Sequence, residues 1–150
     1  MTIKLKHVFL TFFVLMGFAI SKAQTTSSSI IGVWYLEEFK SKIEVYKCGD
    51  QFCGKILESP SVYEEDGKTI KKDAKNPDKT LRDRSVVGIE HLTHLTYKKG
   101  EYIDGKIYDT SRGKVWDCYA EVKGDEMHFT GYIGVKWLGK TVVWKRVSTN

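Results

Sequence analysis

From residue 32 onward, apolar and polar positions alternate in short bursts, and most bursts end in glycine, aspartate or lysine. The runs are GVWYLEE (32–38), KIEVYKC (42–48), FCGKILE (52–58), GIEHLTHLTY (88–97), YIDGKIYD (102–109), KVWDCYAEV (114–122), EMHFTGYI (126–133) and KTVVWKRV (140–147). A period of two, rich in β-branched and aromatic residues, marks half-buried strands. The intervening CGDQF, KKGE, DTSRG, KGDE and GVKWLG have the size of hairpin loops. In IEHLTHLT the apolar residues Ile89, Leu92 and Leu95 recur every third position, a spacing shared with a short helix. The β-branched neighbours favour a strand there. Residues 59–87 break the rhythm. They are polar, with Asn76-Pro77-Asp78 as a turn signal, and read as a segment that crosses from one end of the sheet to the other or lids an opening. Eight short antiparallel strands predict an all-β fold, a small up-and-down barrel or strongly rolled sheet. Closure hides the edges that invite aggregation. A barrel of eight is either filled by side chains or holds one small ligand.

The first residues carry a different pattern. Lys4 and Lys6 precede the apolar run VFLTFFVLMGFAI (8–20), and Ser21-Lys22-Ala23 places small residues before Gln24. This predicts a signal peptide over 1–23, export to the periplasm or outside, and no membrane span after cleavage. A run of thirteen is short for a span, which needs about 20 residues. Residues 24–30, containing TTSSS, read as a flexible lead into a single barrel domain at 31–147. The leader's Lys4, Lys6 and Lys22 supply three of the five net positive charges of the chain, so the basic balance is partly a targeting signal. Export argues against nucleic acid as a partner.

Cys48 and Cys53 flank GDQF. Placed opposite one another they pair Val45 with Ile56 and Tyr46 with Lys55, a register that matches hydrophobicity across the hairpin. An oxidising compartment then predicts a Cys48–Cys53 disulfide. A zinc or redox site is the weaker reading, because C-x4-C has no second pair of ligands at metal-site spacing. Alternation puts Cys118 on a core face with Trp116, Ala120 and Val122, as a buried, inert thiol.

Gly134–Thr141, GVKWLGKT, matches the phosphate-binding pattern G-x-x-x-x-G-K-[ST], and Gly49–Ile56 misses it by one position. That motif must open a helix. VVWKRV after Thr141 is a strand instead, so both stretches read as hairpin loops and no nucleotide is expected. The exposed question is whether Trp137 and Leu138, at the tip of the later loop, cap the barrel or face a partner. His91 and His94, three apart on a strand, point to opposite faces and cannot share an ion. Both read as partly exposed strand histidines. No catalytic residue, metal site or cofactor is predicted. Leu81-Arg82-Asp83-Arg84 holds two of the four arginines beyond the leader. Arginine suits forked binding of carboxylate or phosphate. The structural reading, an arginine over a barrel end paired with Asp78 or Asp109, is preferred.

GVWY, YKCGDQFCGKI, NPDKTLRDR followed by VVG, GKIYD, GKVWDCY and GYIGVKWLGKTVVWKRV occur in order. As a set over residues 31–147 they resemble the exported bacterial family called domain of unknown function 2147. That family usually reads NPDPxLRxRPLxG, and Lys79 and Ser85 stand here in place of two prolines. More distantly, Gly32-x-Trp34 on the first strand and Arg146 on the last resemble the lipocalin pair of tryptophan and arginine, although the lipocalin T-D-Y motif is not evident. The likeness implies that Trp34 and Arg146 stack where first and last strands meet. The leading expectation is an exported, non-enzymatic barrel that binds a small apolar or amphipathic ligand. Trp116, Phe129 and Trp144 are its candidate lining, with Arg82, Arg84 and Asp109 near a mouth. The alternatives are an envelope interaction protein with a filled barrel, and a hydrolase of anionic esters that uses the Arg/Asp cluster.

Overall fold

A computed structural model describes residues 26–147. The predicted leader, and the first two residues of the segment after it, lie outside the described residues. Eight strands follow in order: β1 (Gly32–Leu36), β2 (Ser41–Cys48), β3 (Gln51–Glu58), β4 (Glu90–Lys98), β5 (Glu101–Asp109), β6 (Lys114–Lys123), β7 (Glu126–Tyr132) and β8 (Lys140–Arg146). Each pairs antiparallel with the next, and β8 pairs back onto β1, so the sheet is a closed barrel in sequence order. Every predicted run is a strand within a few residues of its predicted ends. Among the described residues no helix is long and apolar enough to cross a membrane.

The strands form because their alternation can be satisfied on two faces at once. In β2, Ser41, Ile43 and Val45 are buried while Lys42, Glu44 and Tyr46 are less so. In β6, Cys118, Ala120 and Val122 face the core. Tight turns hold the register: Lys99 and Gly100 both take positive φ, 53° and 94°, in a two-residue hairpin between β4 and β5. The period of three in IEHLTHLT belongs to a strand with bulges. Gly54 faces Leu92, but Lys55 faces Glu90 and Phe52 faces Leu95, so the pairing slips on either side of Leu92. His94 sits at the second slip with φ 63°. The extra residues let Leu92 and Leu95 both turn inward, which strict alternation forbids.

One end of the barrel is solid. Trp34, Val45, Phe52, Leu95, Tyr102, Ala120 and Met127 are buried there. Tyr102 meets Phe52 edge-on at 5.4 Å. Gly105 makes room for this filling: a Cβ on it would lie 2.6 Å from Cys118 Sγ and from Leu95 Cδ2. Residues 26–30 close this end. Ile30 is fully buried, its N–H donates to Tyr102 Oη at 3.0 Å, and Tyr102 Oη donates to the Thr26 carbonyl at 2.9 Å.

Three expectations about register and path are corrected. Cys48 and Cys53 are bonded, with Cα atoms 5.8 Å apart, but they are not directly opposed. Cys48 faces Gln51, Tyr46 faces Cys53 and Val45 faces Gly54, because the turn is only Gly49-Asp50. The bridge therefore runs diagonally, two positions off the predicted register and still on one face. Its presence is compatible with an exported chain. Second, residues 59–87 do not cross from end to end. β3 and β4 are antiparallel neighbours, so the segment leaves and returns at the same end. Third, Arg84 pairs with Asp73 rather than Asp78 or Asp109.

The seam between β1 and β8 is short, pairing at Trp34–Arg146 and Tyr35–Lys145. The Arg146 guanidinium lies over the Trp34 ring at 4.2 Å, and Trp34 Nε1 donates to the Ile30 carbonyl at 2.8 Å. Trp34 has no exposed surface. Trp34→Ala is expected to destabilise the barrel by about 3–5 kcal/mol, read by chemical denaturation. An unchanged midpoint would remove Trp34 from its place in the core.

Candidate functional site

At the opposite end the interior is not filled. A cavity of about 590 Å³ lies among Leu36, Ile43, Ile56, His91, Ile107, Trp116 and Trp144, with Ser41, Ser59 and Ser61 along one wall. An adjoining space of about 360 Å³ adds Phe129 and Val142. The connections β1–β2, β3–β4, β5–β6 and β7–β8 all lie at this end, since each joins antiparallel neighbours. The rim is made of these loops. Phe39 in the 3-10 turn Glu37–Phe39 stands 53 % exposed beside the opening.

The long β3–β4 connection forms part of the wall. Ser59 caps the 3-10 turn Pro60–Val62 by accepting from the Ser61 N–H. Ser41 Oγ donates to Ser59 Oγ at 2.7 Å, joining this turn to β2. The rest of the connection is held by a buried carboxylate. Asp73 accepts from Tyr108 Oη at 2.6 Å, from Asn76 Nδ2 at 2.7 Å and from Arg84 Nη2 at 2.9 Å. Burial opposes its charge, but these hydrogen bonds and the arginine outweigh it and hold the carboxyl below its usual range. Burial and the bond to Asp73 push the Tyr108 hydroxyl up to about 12, so Tyr108 is the donor. Gly113 is where the connection leans on the β5–β6 hairpin: a Cβ there would lie 1.9 Å from the Lys75 carbonyl oxygen.

The six predicted ligand-binding residues therefore separate. Trp116, Trp144 and Asp109 line the larger space, and Phe129 lines the adjoining one. Arg82 and Arg84 line neither. Arg82 Nε donates to the Asn76 carbonyl at 2.8 Å, and Arg84 grips Asp73, so both brace the connection. Asp109 is engaged by Ser111 and Arg112. Burial works against its charge, yet these donors hold it below the usual carboxylate range.

His91, expected to be a partly exposed strand histidine, is buried instead. Strict alternation places it opposite in sense to Leu92, yet both are buried, because the slip between Gly54–Leu92 and Lys55–Glu90 falls at His91. Its ring lines the cavity, and among the described residues its Nδ1 has no hydrogen-bond partner, as is true of Trp144 Nε1. Burial pushes His91 down to about 4, against a smaller upward pull from the Ile89 backbone. The ring is neutral near pH 7. Cys118 is the inert thiol expected: it is fully buried, and burial pushes it up to about 12. Among the described residues no three His, Cys, Asp or Glu side chains are grouped to hold a metal.

GVKWLGKT is the β7–β8 connection, with a 3-10 turn at Lys136–Leu138 and Thr141 already inside β8. The strand-loop-helix setting of a phosphate loop is replaced by a hairpin. Trp137 and Leu138 stand exposed at the rim, 82 % and 64 %, so they do not cap the barrel.

A closed antiparallel barrel of eight strands, solid at one end and hollow at the other, with an arginine on the last strand stacked over a tryptophan on the first, is a lipocalin-like barrel. A solved structure shares it: the protein HP1028 from the human pathogen Helicobacter pylori, described as belonging to the lipocalin family, is 29 % identical. The match covers 79 % of this chain and 83 % of that one, with a TM-score of 0.68. The chain belongs to the bacterial family DUF2147, "uncharacterized protein conserved in bacteria", whose profile matches residues 32–146. No curated protein matches it.

Two outcomes test the site. An unfolded histidine titrates near 6.5. With the folded value at about 4, the unfolded chain binds the extra proton as pH falls between these values. Stability from a neutral His91 is thus present above about pH 6.5 and lost toward pH 4, by about 3 kcal/mol. The difference in unfolding free energy between wild type and His91→Leu is expected to shift by that amount across the window; a constant difference contradicts a buried neutral ring. Arg84→Ala leaves Asp73 buried with neutral donors only. It is expected to destabilise by up to about 3 kcal/mol, near the lower limit for breaking a buried pair because Arg84 is partly exposed. Amide exchange should quicken first within residues 72–86, and protection unchanged there would deny the clamp.

Proposed function

We propose that this protein is an exported barrel that binds one small apolar or amphipathic molecule in its hollow end. What carries the reading is the cavity of about 590 Å³, walled mainly by aliphatic and indole side chains. Ligand pockets are concave, mostly apolar spaces of about 300–1,000 Å³ with a few polar groups. The interior is divided in a way that suits this: bulky residues fill the end under Tyr102 and Trp34, while the other end is left open at a rim of loops.

The interaction-protein reading draws on a different feature. Ile133, Trp137 and Leu138 on the β7–β8 connection are exposed at 65 %, 82 % and 64 %, and Lys136 lies among them. Exposed apolar clusters mark docking sites more often than chance. That reading concerns the rim and leaves the cavity unexplained. The ester-hydrolase reading asked Arg82 and Arg84 to face a substrate, and both are turned to Asn76 and Asp73 instead.

The test uses N-phenyl-1-naphthylamine, a neutral apolar dye that brightens when it leaves water. Its fluorescence is expected to rise and saturate at one dye per protein. In Ile107→Trp, which fills the cavity, the affinity should fall by about tenfold or more while the melting midpoint stays close to wild type. Equal binding to both proteins would put the dye elsewhere and sink the proposal.

A further inference from the structure

The rim of the hollow end is apolar on one side. Ile133, Val135, Trp137 and Leu138 on the β7–β8 connection are exposed, and so is Val115, two residues beyond the Asp117–Tyr132 pair on the adjoining strand. Phe39 extends the patch onto the β1–β2 turn. Lys140, at the start of β8, lies over its ring at 5.8 Å and reaches Glu38 at 3.3 Å. The tip of the connection is held in shape. Gly134 turns the chain with φ 71°, the Leu138 N–H donates to the Val135 carbonyl, and the Gly139 N–H donates to the Lys136 carbonyl. Gly139 lies close against β7, where a Cβ would meet Thr130 Cγ2 at 2.6 Å. Apolar side chains fixed in an exposed cluster point to a surface that covers them.

Charge narrows what that surface is. Residues 112–115 and 133–140, which carry most of the patch, include Arg112, Lys114, Lys136 and Lys140 and no carboxylate. Arg112 is paired with Asp109, and Lys140 with Glu38. Lys114 and Lys136 have no carboxylate partner among the described residues, and Lys136 rests over the Tyr119 ring at 5.4 Å. On the β1–β2 turn Glu37 and Lys40 balance one another. The acidic run Glu64-Glu65-Asp66 belongs to the β3–β4 connection, which in a ring of eight strands lies across the mouth from β7–β8. Shape narrows it further. Trp137 and Leu138 stand on a projecting turn, not in a groove. A folded partner would need a hollow to match, whereas the interface of a bilayer moulds around a tip. Indole settles at headgroup depth, and lysine stems lie along apolar surface with their ammonium groups in the polar layer.

We infer that the β7–β8 side of the rim docks on an anionic phospholipid bilayer, with Trp137 and Leu138 in the headgroup layer and Lys114 and Lys136 against its phosphates. The barrel lies on the membrane and does not span it. The mouth of the hollow end then opens beside the lipid. This goes beyond the cavity reading and stands without it.

Vesicle sedimentation tests it, with phosphatidylcholine alone and with phosphatidylcholine and phosphatidylglycerol in equal parts. Wild type and variants carry the same N-terminus, so its contribution cancels. Wild type is expected to bind the mixed vesicles about tenfold or more tighter than phosphatidylcholine. Trp137→Ser combined with Leu138→Ser should weaken that binding about tenfold or more, and Lys114→Gln and Lys136→Gln about fivefold each. All four side chains are exposed, so melting midpoints should stay close to wild type. Lys98→Gln, at the solid end, should bind as wild type does. Equal binding to both kinds of vesicle overturns the inference, as does binding that survives the loss of Trp137 and Leu138. No vesicle binding overturns it as well, and a dimer in sedimentation velocity that Trp137→Ser dissolves would then give the tip to a second copy of the chain. Dye binding in the cavity is measured without vesicles, so either reading can fail alone.

Discussion

The barrel depends on closing its shortest seam. β1 pairs with β2 along its whole length but meets β8 only at Trp34–Arg146 and Tyr35–Lys145. Few ladder bonds hold that edge, so side chains make up the difference. Arg146 stacks on Trp34 and donates to the Ile31 carbonyl at 3.0 Å and to the Ser29 carbonyl at 2.5 Å. One guanidinium thus joins the last strand, the first strand and the turn before it. An arginine is suited to this because its planar face stacks while its edge donates in several directions. The indole beneath it donates to the Ile30 carbonyl, so seam and end plug are one construction.

That construction sets the division of the interior. Ile30, Trp34 and Tyr102 fill the closed end completely, and the polar hydroxyl of Tyr102 is usable there only because the turn offers it the Ile30 N–H and the Thr26 carbonyl. Bulges then redistribute side chains along β4 and β5. His94 and Asp104 take positive φ at neighbouring places on these strands, 63° and 61°. The slips deliver Leu92 and Leu95 to the core and leave His91 facing the space beyond. The hollow end is the part of the same barrel where the inward side chains, Trp116 and Trp144 among them, line a space rather than fill it.

Much of this was legible in the chain, for physical reasons that differ from one residue to another. Strand order, hairpins and the Trp34–Arg146 pairing follow from alternation, short loops and closure, which act locally and leave a visible period. The disulfide was legible as a bond but not as a register, since diagonal and direct pairing put both cysteines on the same face. Trp116 and Trp144 could be placed inward by alternation alone. His91 could not, because a bulge inverts the face of the residues around it and has no period to read. The contacts of residues 26–30 left no local signal either, because they are made to Tyr102, some seventy residues away.

The arginines carry chemistry suited to an anion, yet their preferred reading is structural. Charged groups are hard to bury without partners, and the chain supplies those partners close at hand, though at Asp73 and Asn76 rather than at Asp78 or Asp109. Asp73 is inaccessible to solvent, and it gathers Arg84 from the connection and Tyr108 from the barrel onto one carboxylate. This fixes the long connection where its Ser59–Ser61 turn completes the cavity wall. The pair therefore shapes the hollow end from behind while contributing no charge to it. What lines the cavity instead is apolar surface, the serines of one wall, a neutral imidazole, and Asp109 with its charge met by Arg112. Of the carboxylates and cations at this end, Asp109 alone lines the larger space, and the Asp73–Arg84 pair stays behind the wall.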